Sequence, residues 1–189
     1  VRVVEMPAGS AAASGLPEFA DDETVIVLGL CGALRRLKAG DVVIYARAVD
    51  GSRLFEHDPL LIDALRTVLP NAAIVTACTT DRVVTRVTAR TVLAERFDAD
   101  VVDMESTYLA AALAARGVRF AMVRVISDDA SRDLPAIGDA VDAGGRVQLL
   151  RIALAFARAP VAAFAFVRDV RRALAVLTAM ARAIGSLSV

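Results

Sequence analysis

The chain alternates short, uninterrupted apolar runs with longer stretches in which apolar residues return every three or four positions. Residues 25–29 (VIVLG), 41–45 (DVVIY), 72–76 (AAIVT), 101–102 (VV) and 120–126 (FAMVRVI) are rich in β-branched side chains and read as strands. The first ends at a glycine, and the second follows a Lys-Ala-Gly turn. Between them, residues 58–69, 85–97 and 106–116 carry helical periodicity. The last has apolar residues at 109, 113 and 114 and a stop at Gly117. Strands alternating with helices predict an α/β fold around a mixed or mainly parallel sheet.

The two ends of the chain follow a different pattern. Residues 1–4 have the composition of a strand, and residues 7–17, rich in Gly, Ala and Ser, read as a loop. From about residue 144 the chain reads as helical, with a break at Pro160, a residue suited to the first turn of a second helix. On that second helix the periodicity predicts Arg168, Arg171 and Arg172 on one side, opposite Phe164 and Leu174. Without an internal repeat or a low-complexity linker, residues 1–189 are expected to form one domain with a basic helical C-terminal tail.

Composition sharpens this picture. Hydrophobic residues make up 57% of the 189, much of it Ala and Val, as expected where buried strands meet close-packed helices. The formal net charge is zero, which gives no reason to expect a nucleic-acid partner. The charge is nonetheless uneven: from Ala143 onward seven arginines face one acid, Asp169, leaving 15 basic and 21 acidic residues in the rest. Cys31 and Cys78 lack metal-ligand spacing, and two cysteines make no disulfide framework, so a reduced cytoplasmic setting is expected. The N-terminus lacks the basic start and long apolar run of a signal peptide. The longest uncharged apolar stretch near the tail, residues 159–167, is far short of the roughly 18–20 residues that span a bilayer.

Chemistry concentrates in two segments. In 102–106 (VDMES) acidic residues sit where a strand turns into a helix, and in 123–130 (VRVISDDA) a strand end delivers Ser127, Asp128 and Asp129. In open α/β sheets ligands bind outside the carboxyl ends of strands, so both segments point to one crevice. Carboxylates from two strand ends suit a reaction that needs one acid and one anchor. Each also has a plainer reading: a Glu opening a helix is favoured by the macrodipole, and an Asp after a strand is a common N-cap.

These segments resemble the paired signature of the nucleoside phosphorylase and nucleosidase superfamily. Residues 27–34 (VLGLCGAL) and 37–43 (LKAGDVV) are similar to its glycine-rich strand end and following GDVV segment, in the same order. The resemblance covers roughly residues 25–134. Softer similarity, in 53–59 (RLFEHDP), 81–83 (DRV), 132–135 (RDLP) and the Arg-rich tail, points to the hopanoid-associated branch, the adenosylhopane nucleosidases. The resemblance implies a three-layer αβα sandwich of phosphorylase type that hydrolyses an adenine nucleoside bearing an apolar 5′ substituent and releases adenine. It implies no cofactor or metal, a small-molecule or lipid-linked nucleoside as substrate, and a homo-oligomer. The alternatives are a phosphorylase or methylthioadenosine-type nucleosidase acting on a small soluble nucleoside, and a non-catalytic nucleoside-binding relative.

Carried over residue by residue, the resemblance makes Asp128 the proton donor to purine N7 and Ser127 the residue that orients it. Glu105 would bind the ribose hydroxyls and Met104 would pack on the sugar. Gly29, Cys31 and Gly32 would form the substrate loop, and Asp81 and Val83 the edge of the base pocket. Asp129 is a candidate like charge that would keep Asp128 protonated. Two features depart from the family pattern. Val27 and Leu30 stand where phosphorylases place phosphate-binding Arg and Ser or Thr, which favours water as nucleophile. The family's N-terminal Glu-bearing loop has no counterpart in this chain, where Glu5 is the only acid before Glu18.

The remaining residues carry weaker signals. His57, the single histidine, lies between two acids and reads as a surface group. Cys31 reads as a small buried filler, since no base adjoins it. The arginine tail reads as a solvated helix face or as a contact with anionic headgroups, placing the protein in the cytoplasm or at the inner membrane face.

Overall fold

A computed structural model describes residues 3–20, 23–138 and 148–185. Residues 1–2 and 144–147, which belong to the expected N-terminal strand and basic tail, lie outside the described residues. Residues 3–8 form no strand, and the segment read as a loop contains a 3-10 helix, Gly9–Gly15.

Six strands make one mixed sheet: β1 (Thr24–Ala33), β2 (Val42–Asp50), β3 (Arg53–Glu56), β4 (Ala73–Thr79), β5 (Val101–Asp103) and β6 (Arg119–Asp128). Their order is β3-β2-β4-β5-β1-β6, and β2 also pairs with β6, so the sheet curls back on itself. β1 runs parallel to β6, β2 to β4 and β4 to β5, while β1–β5, β2–β3 and β2–β6 are antiparallel. β3 has no counterpart among the strands expected from the sequence. It is a four-residue edge strand with three exposed positions, hung on a tight turn at Gly51-Ser52, and it lacks the apolar run that marks a buried strand.

Helices α1 (Pro59–Val68), α2 (Val87–Phe97), α3 (Ser106–Ala114), α4 (Leu149–Arg158) and α5 (Pro160–Gly185) complete the fold. α1 starts where Asp58 accepts the amides of Leu60 and Leu61, with Pro59 in the first turn. Its Leu61 and Leu65 join Ala173, Met180 and Ile184 of α5 over Ile44, Val123 and Val125 of the sheet. On the other side, Leu109, Ala110 and Leu113 of α3 pack with Val43, Tyr45, Phe120 and Met122. Each fully buried Leu contributes roughly 1.5–3 kcal/mol. α2 covers a third cluster through Ala94, against Leu34, Cys78 and Val102. The chain is thus an α/β fold with helices on both sides of a mixed sheet.

The tail breaks at Pro160 as expected, but the face it buries differs. α5 packs through Ala163, Asp169, Ala173, Met180 and Ile184, whereas Phe164 is 75% exposed and Leu174 46%. Phe164, Arg168, Arg171 and Leu174 therefore share the outward side, and the expectation that the arginines oppose Phe164 and Leu174 is corrected. The small alanines let the helix approach the sheet closely, which leaves the larger apolar residues outside. His57 is also corrected: it is 4% exposed, with its ring 5.1 Å from Phe120 and 6.1 Å from Tyr45. Burial pushes its pKa down to about 4.

Candidate active site

The site is built around β1, whose C-terminal half lies between β5 and β6. Gly32 pairs with Asp128 on β6 and with Val102 on β5, and Gly29 pairs with Arg124. Both glycines stand at close approaches. A Cβ at Gly32 would meet Asp128 Oδ2 at 3.1 Å, and one at Gly29 would meet Arg124 Nη1 at 2.0 Å. The second contact is impossible for any larger residue unless the guanidinium moves.

Asp128 is buried and held from two sides. Ser127 Oγ lies 2.5 Å from its Oδ1 and 3.1 Å from the Cys31 carbonyl, and Arg90 Nη2 lies 2.5 Å from its Oδ2. Arg90, on α2, is only 1% exposed. Its Nε and Nη2 donate to the Val84 carbonyl, and its Nη1 donates to the carbonyls of Asp129 (2.8 Å) and Ala33 (3.4 Å). One guanidinium thus ties β1, the end of β6 and the 80–86 loop to the candidate acid. The plainer reading of Asp128 as an N-cap does not hold, because among the described residues no helix starts between Asp128 and Leu149.

Asp129, the candidate like charge, is engaged locally. Its Oδ1 accepts the Ser131 amide and hydroxyl, and its Oδ2 lies 3.8 Å from Arg132. Partial burial would raise its pKa, but the Ser131 hydrogen bonds and the Arg132 charge hold the carboxyl below its usual range.

At the other end, the VDMES segment divides two roles between its acids. Asp103 caps α3, its Oδ1 accepting the Ser106 amide at 3.2 Å and the Thr79 hydroxyl at 3.1 Å. Its Oδ2 accepts the Ser106 hydroxyl and the Tyr45 hydroxyl, the latter at 3.1 Å. Glu105 makes no side-chain cap and is free for other work. Its Oε1 accepts the Gly9 amide at 3.0 Å, and its Oε2 lies 3.9 Å from Arg124 Nη2. Burial raises its pKa, partly offset by the Arg124 charge. Gly9 takes φ +71°, and a Cβ there would lie 4.0 Å from Met104 Cε, so the N-terminal 3-10 helix folds over both ribose-site candidates.

Arg124 and Arg90 are the residues that sequence reasoning missed. Arg124 alternates with Phe120, Met122 and Ile126 on the strand face that builds the core, and it is 4% exposed. Asp103 lies 3.7 Å from its Nε, yet Nε and Nη2 have no hydrogen-bond partner. A buried guanidinium with unused donors, beside two carboxylates, is equipped to hold an oxygen ligand. Its signal in the sequence was a lone arginine inside an apolar strand.

Cys31 is buried, and burial pushes its thiol far above the ordinary range, which fits a filler rather than a nucleophile. Asp81 accepts the Tyr108 hydroxyl at 2.6 Å, and Val83 packs beside Ile137, Ile152 and Phe156. Neither touches Asp128, although the neighbouring Val84 reaches it through Arg90. Val27 packs into the α3-side core and Leu30 into the α1/α5-side core. Two cavities of about 460 Å³ lie elsewhere, one lined by Arg47, His57, Thr76 and Asp100, the other by Leu28, Leu177 and Arg182. No helix among the described residues is long and apolar enough to cross a membrane.

Residues 10–158 match a family model described as the phosphorylase superfamily. A search of curated proteins gives no match. Among solved structures the chain is similar to the futalosine hydrolase of Helicobacter pylori strain 26695, at 20% identity and a TM-score of 0.53, with 56% of each chain covered. It is also similar to the 5′-methylthioadenosine/S-adenosylhomocysteine nucleosidase of Colwellia psychrerythraea 34H, solved in complex with adenine. There the identity is 19%, the TM-score 0.56, and coverage 65% of this chain and 62% of that one. A mutant Helicobacter pylori nucleosidase with 5′-methylthioadenosine in its active site gives 15% identity and a TM-score of 0.57, over 84% of this chain and 68% of that one. At these identities the likeness is one of fold. The chain spans little more than half the length of the futalosine hydrolase.

Proposed function

The chain belongs to the phosphorylase superfamily, and on that footing we propose that it hydrolyses the N-glycosidic bond of an adenine nucleoside. Asp128 acts as acid at the base and Glu105 as anchor of the ribose. The observation that carries this reading is the pair of close approaches on β1, Asp128 against Gly32 and Arg124 against Gly29, with Glu105 beside Arg124. Three strand residues span roughly 10 Å, a length that suits one nucleoside. Residues 1–189 act as one domain in this reading.

The C1′–N9 bond breaks with its electron pair moving into the purine, which is a poor leaving group as an anion. In this reading Asp128, an ion-paired carboxylate in the free protein, takes up a proton when the nucleoside binds and passes it to N7. That lets the base depart neutral, an effect worth roughly 10²–10⁴-fold. Ser127 orients the acid, Met104 packs on the sugar, and Glu105 binds the hydroxyls while offsetting positive charge at the ribosyl carbon. Water adds to C1′, and the proton it sheds restores the acid. The unused N–H groups of Arg124 are placed to hold that water.

Water is favoured because Val27 and Leu30 are spent on packing. A second reading, phosphorolysis, draws on Arg124, since a guanidinium is also what a phosphate seeks. Adenine release with and without inorganic phosphate separates the two. Hydrolysis gives the same rate in both, and phosphorolysis requires phosphate. No release under either condition leaves the non-catalytic relative.

The 5′ substituent we assign is large and apolar, as in adenosylhopane, on the strength of the sequence resemblance and of the basic, apolar tail. Such a substrate resides in a bilayer and is met at its surface. A 5′-alkyl adenosine should then be cleaved with higher kcat/KM than 5′-methylthioadenosine. The reverse order would assign a small soluble nucleoside.

A further inference from the structure

We propose that the outward face of α5, continued by α4, seats on an anionic lipid bilayer. The assignment stands on exposed side chains and holds whether or not the reaction above is right.

α5 turns its alanines, Met180 and Ile184 to the sheet, which leaves Val161 84% and Phe164 75% exposed. α4, packed beside it through Phe156 against Phe166, leaves Leu150 75% and Leu154 48% exposed. Leu150 and Leu154 are spaced i, i+4 and Val161 and Phe164 i, i+3, so each pair shares one helix side. Exposed side chains of this size in neighbouring helices form a surface that water alone does not explain.

Charge selects the partner. Between residues 148 and 185 the chain has six arginines and one acid, Asp169. Asp169 is 5% exposed and already paired with Arg132 and Arg168. The exposed residues Arg158, Arg171 and Arg182 enter no ion pair among the described residues, so the face presents excess positive charge. Two copies meeting across a two-fold axis would set arginine against arginine with no acid between. An acidic protein or a nucleic acid would match the arginines but has no place for Phe164, Val161 and Leu150. A bilayer accepts both: apolar side chains enter the acyl boundary, and arginines reach the headgroup phosphates from their long stems. No described helix can span, so the contact is interfacial.

Co-sedimentation of the full chain with vesicles tests this. Mixed phosphatidylglycerol and phosphatidylcholine vesicles should bind it, phosphatidylcholine alone should not, and added salt should weaken binding. Each arginine near a charged surface is worth about fivefold, so Arg158→Gln, Arg171→Gln and Arg182→Gln together should weaken binding by roughly 100-fold. Phe164→Ser, at a position 75% exposed, should weaken it while leaving the thermal unfolding midpoint unchanged. Absence of binding, equal binding to neutral vesicles, or binding indifferent to both variants overturns the proposal. So does a dimer in light scattering that Phe164→Ser dissolves while vesicles remain unbound, which assigns the face to a second copy.

Discussion

Arg90 and Asp128 form an ion pair of 2.5 Å in which both side chains are almost wholly buried, 2% and 7% exposed. Every other N–H of that guanidinium is spent on backbone carbonyls of β1, the end of β6 and the 80–86 loop. The candidate acid is therefore held by the same group that ties three segments together.

Arg90→Met should destabilise the fold by about 3–5 kcal/mol, the usual cost of leaving one partner of a buried pair uncompensated. Urea unfolding reads this directly. Replacing both partners, Arg90→Met with Asp128→Leu, should recover part of the loss. A single-variant loss below about 1 kcal/mol would mean that the pair is open to solvent.

His57 gives a pH signature. Its pKa is lowered from 6.5 to about 4 by burial, so the unfolded chain binds the proton first as pH falls. Stability is fully present above about pH 6.5 and is lost as pH drops towards 4, by on the order of 3 kcal/mol in all. His57→Phe, which suits the Tyr45 and Phe120 rings around it, should flatten that limb of the stability profile. An unchanged slope between pH 6.5 and 4.5 would place the imidazole in water.

The sequence exposed some of this architecture and hid the rest for identifiable reasons. Asp128 and Glu105 were legible because polar residues at the ends of apolar strands stand out. Arg90 was not, because Arg86, Arg90, Glu95 and Arg96, on and just before α2, form a pattern that looks like a solvated face. Its partners Val84, Ala33 and Asp128 come together only in the fold. Arg124 was visible inside an apolar strand but had no partner in sequence, since Gly29 and Glu105 reach it across strands. The direction of α5 was misread because larger apolar residues were expected to face inward, whereas Ala163 and Ala173 make the contact. His57 lies between two acids in sequence and between two rings in space.

Glu105 is tested by the sugar. Glu105→Gln should weaken binding of an adenine ribonucleoside by about 1.5–3 kcal/mol, the worth of a hydrogen bond to a charged group. A 2′-deoxy analogue, which lacks one of the hydroxyls, should lose much less. Titration calorimetry of both ligands on both proteins supplies the comparison, and equal losses would remove Glu105 from the ribose.

The most direct measurement is turnover by Asp128→Asn on a 5′-alkyl adenosine, with nucleoside affinity measured alongside. Asparagine keeps the shape beside Gly32 but carries no proton to give to N7, so kcat should fall by roughly 10²–10⁴-fold while the dissociation constant barely moves. Near-normal kcat in a folded Asp128→Asn protein would contradict the assignment of Asp128 as the acid.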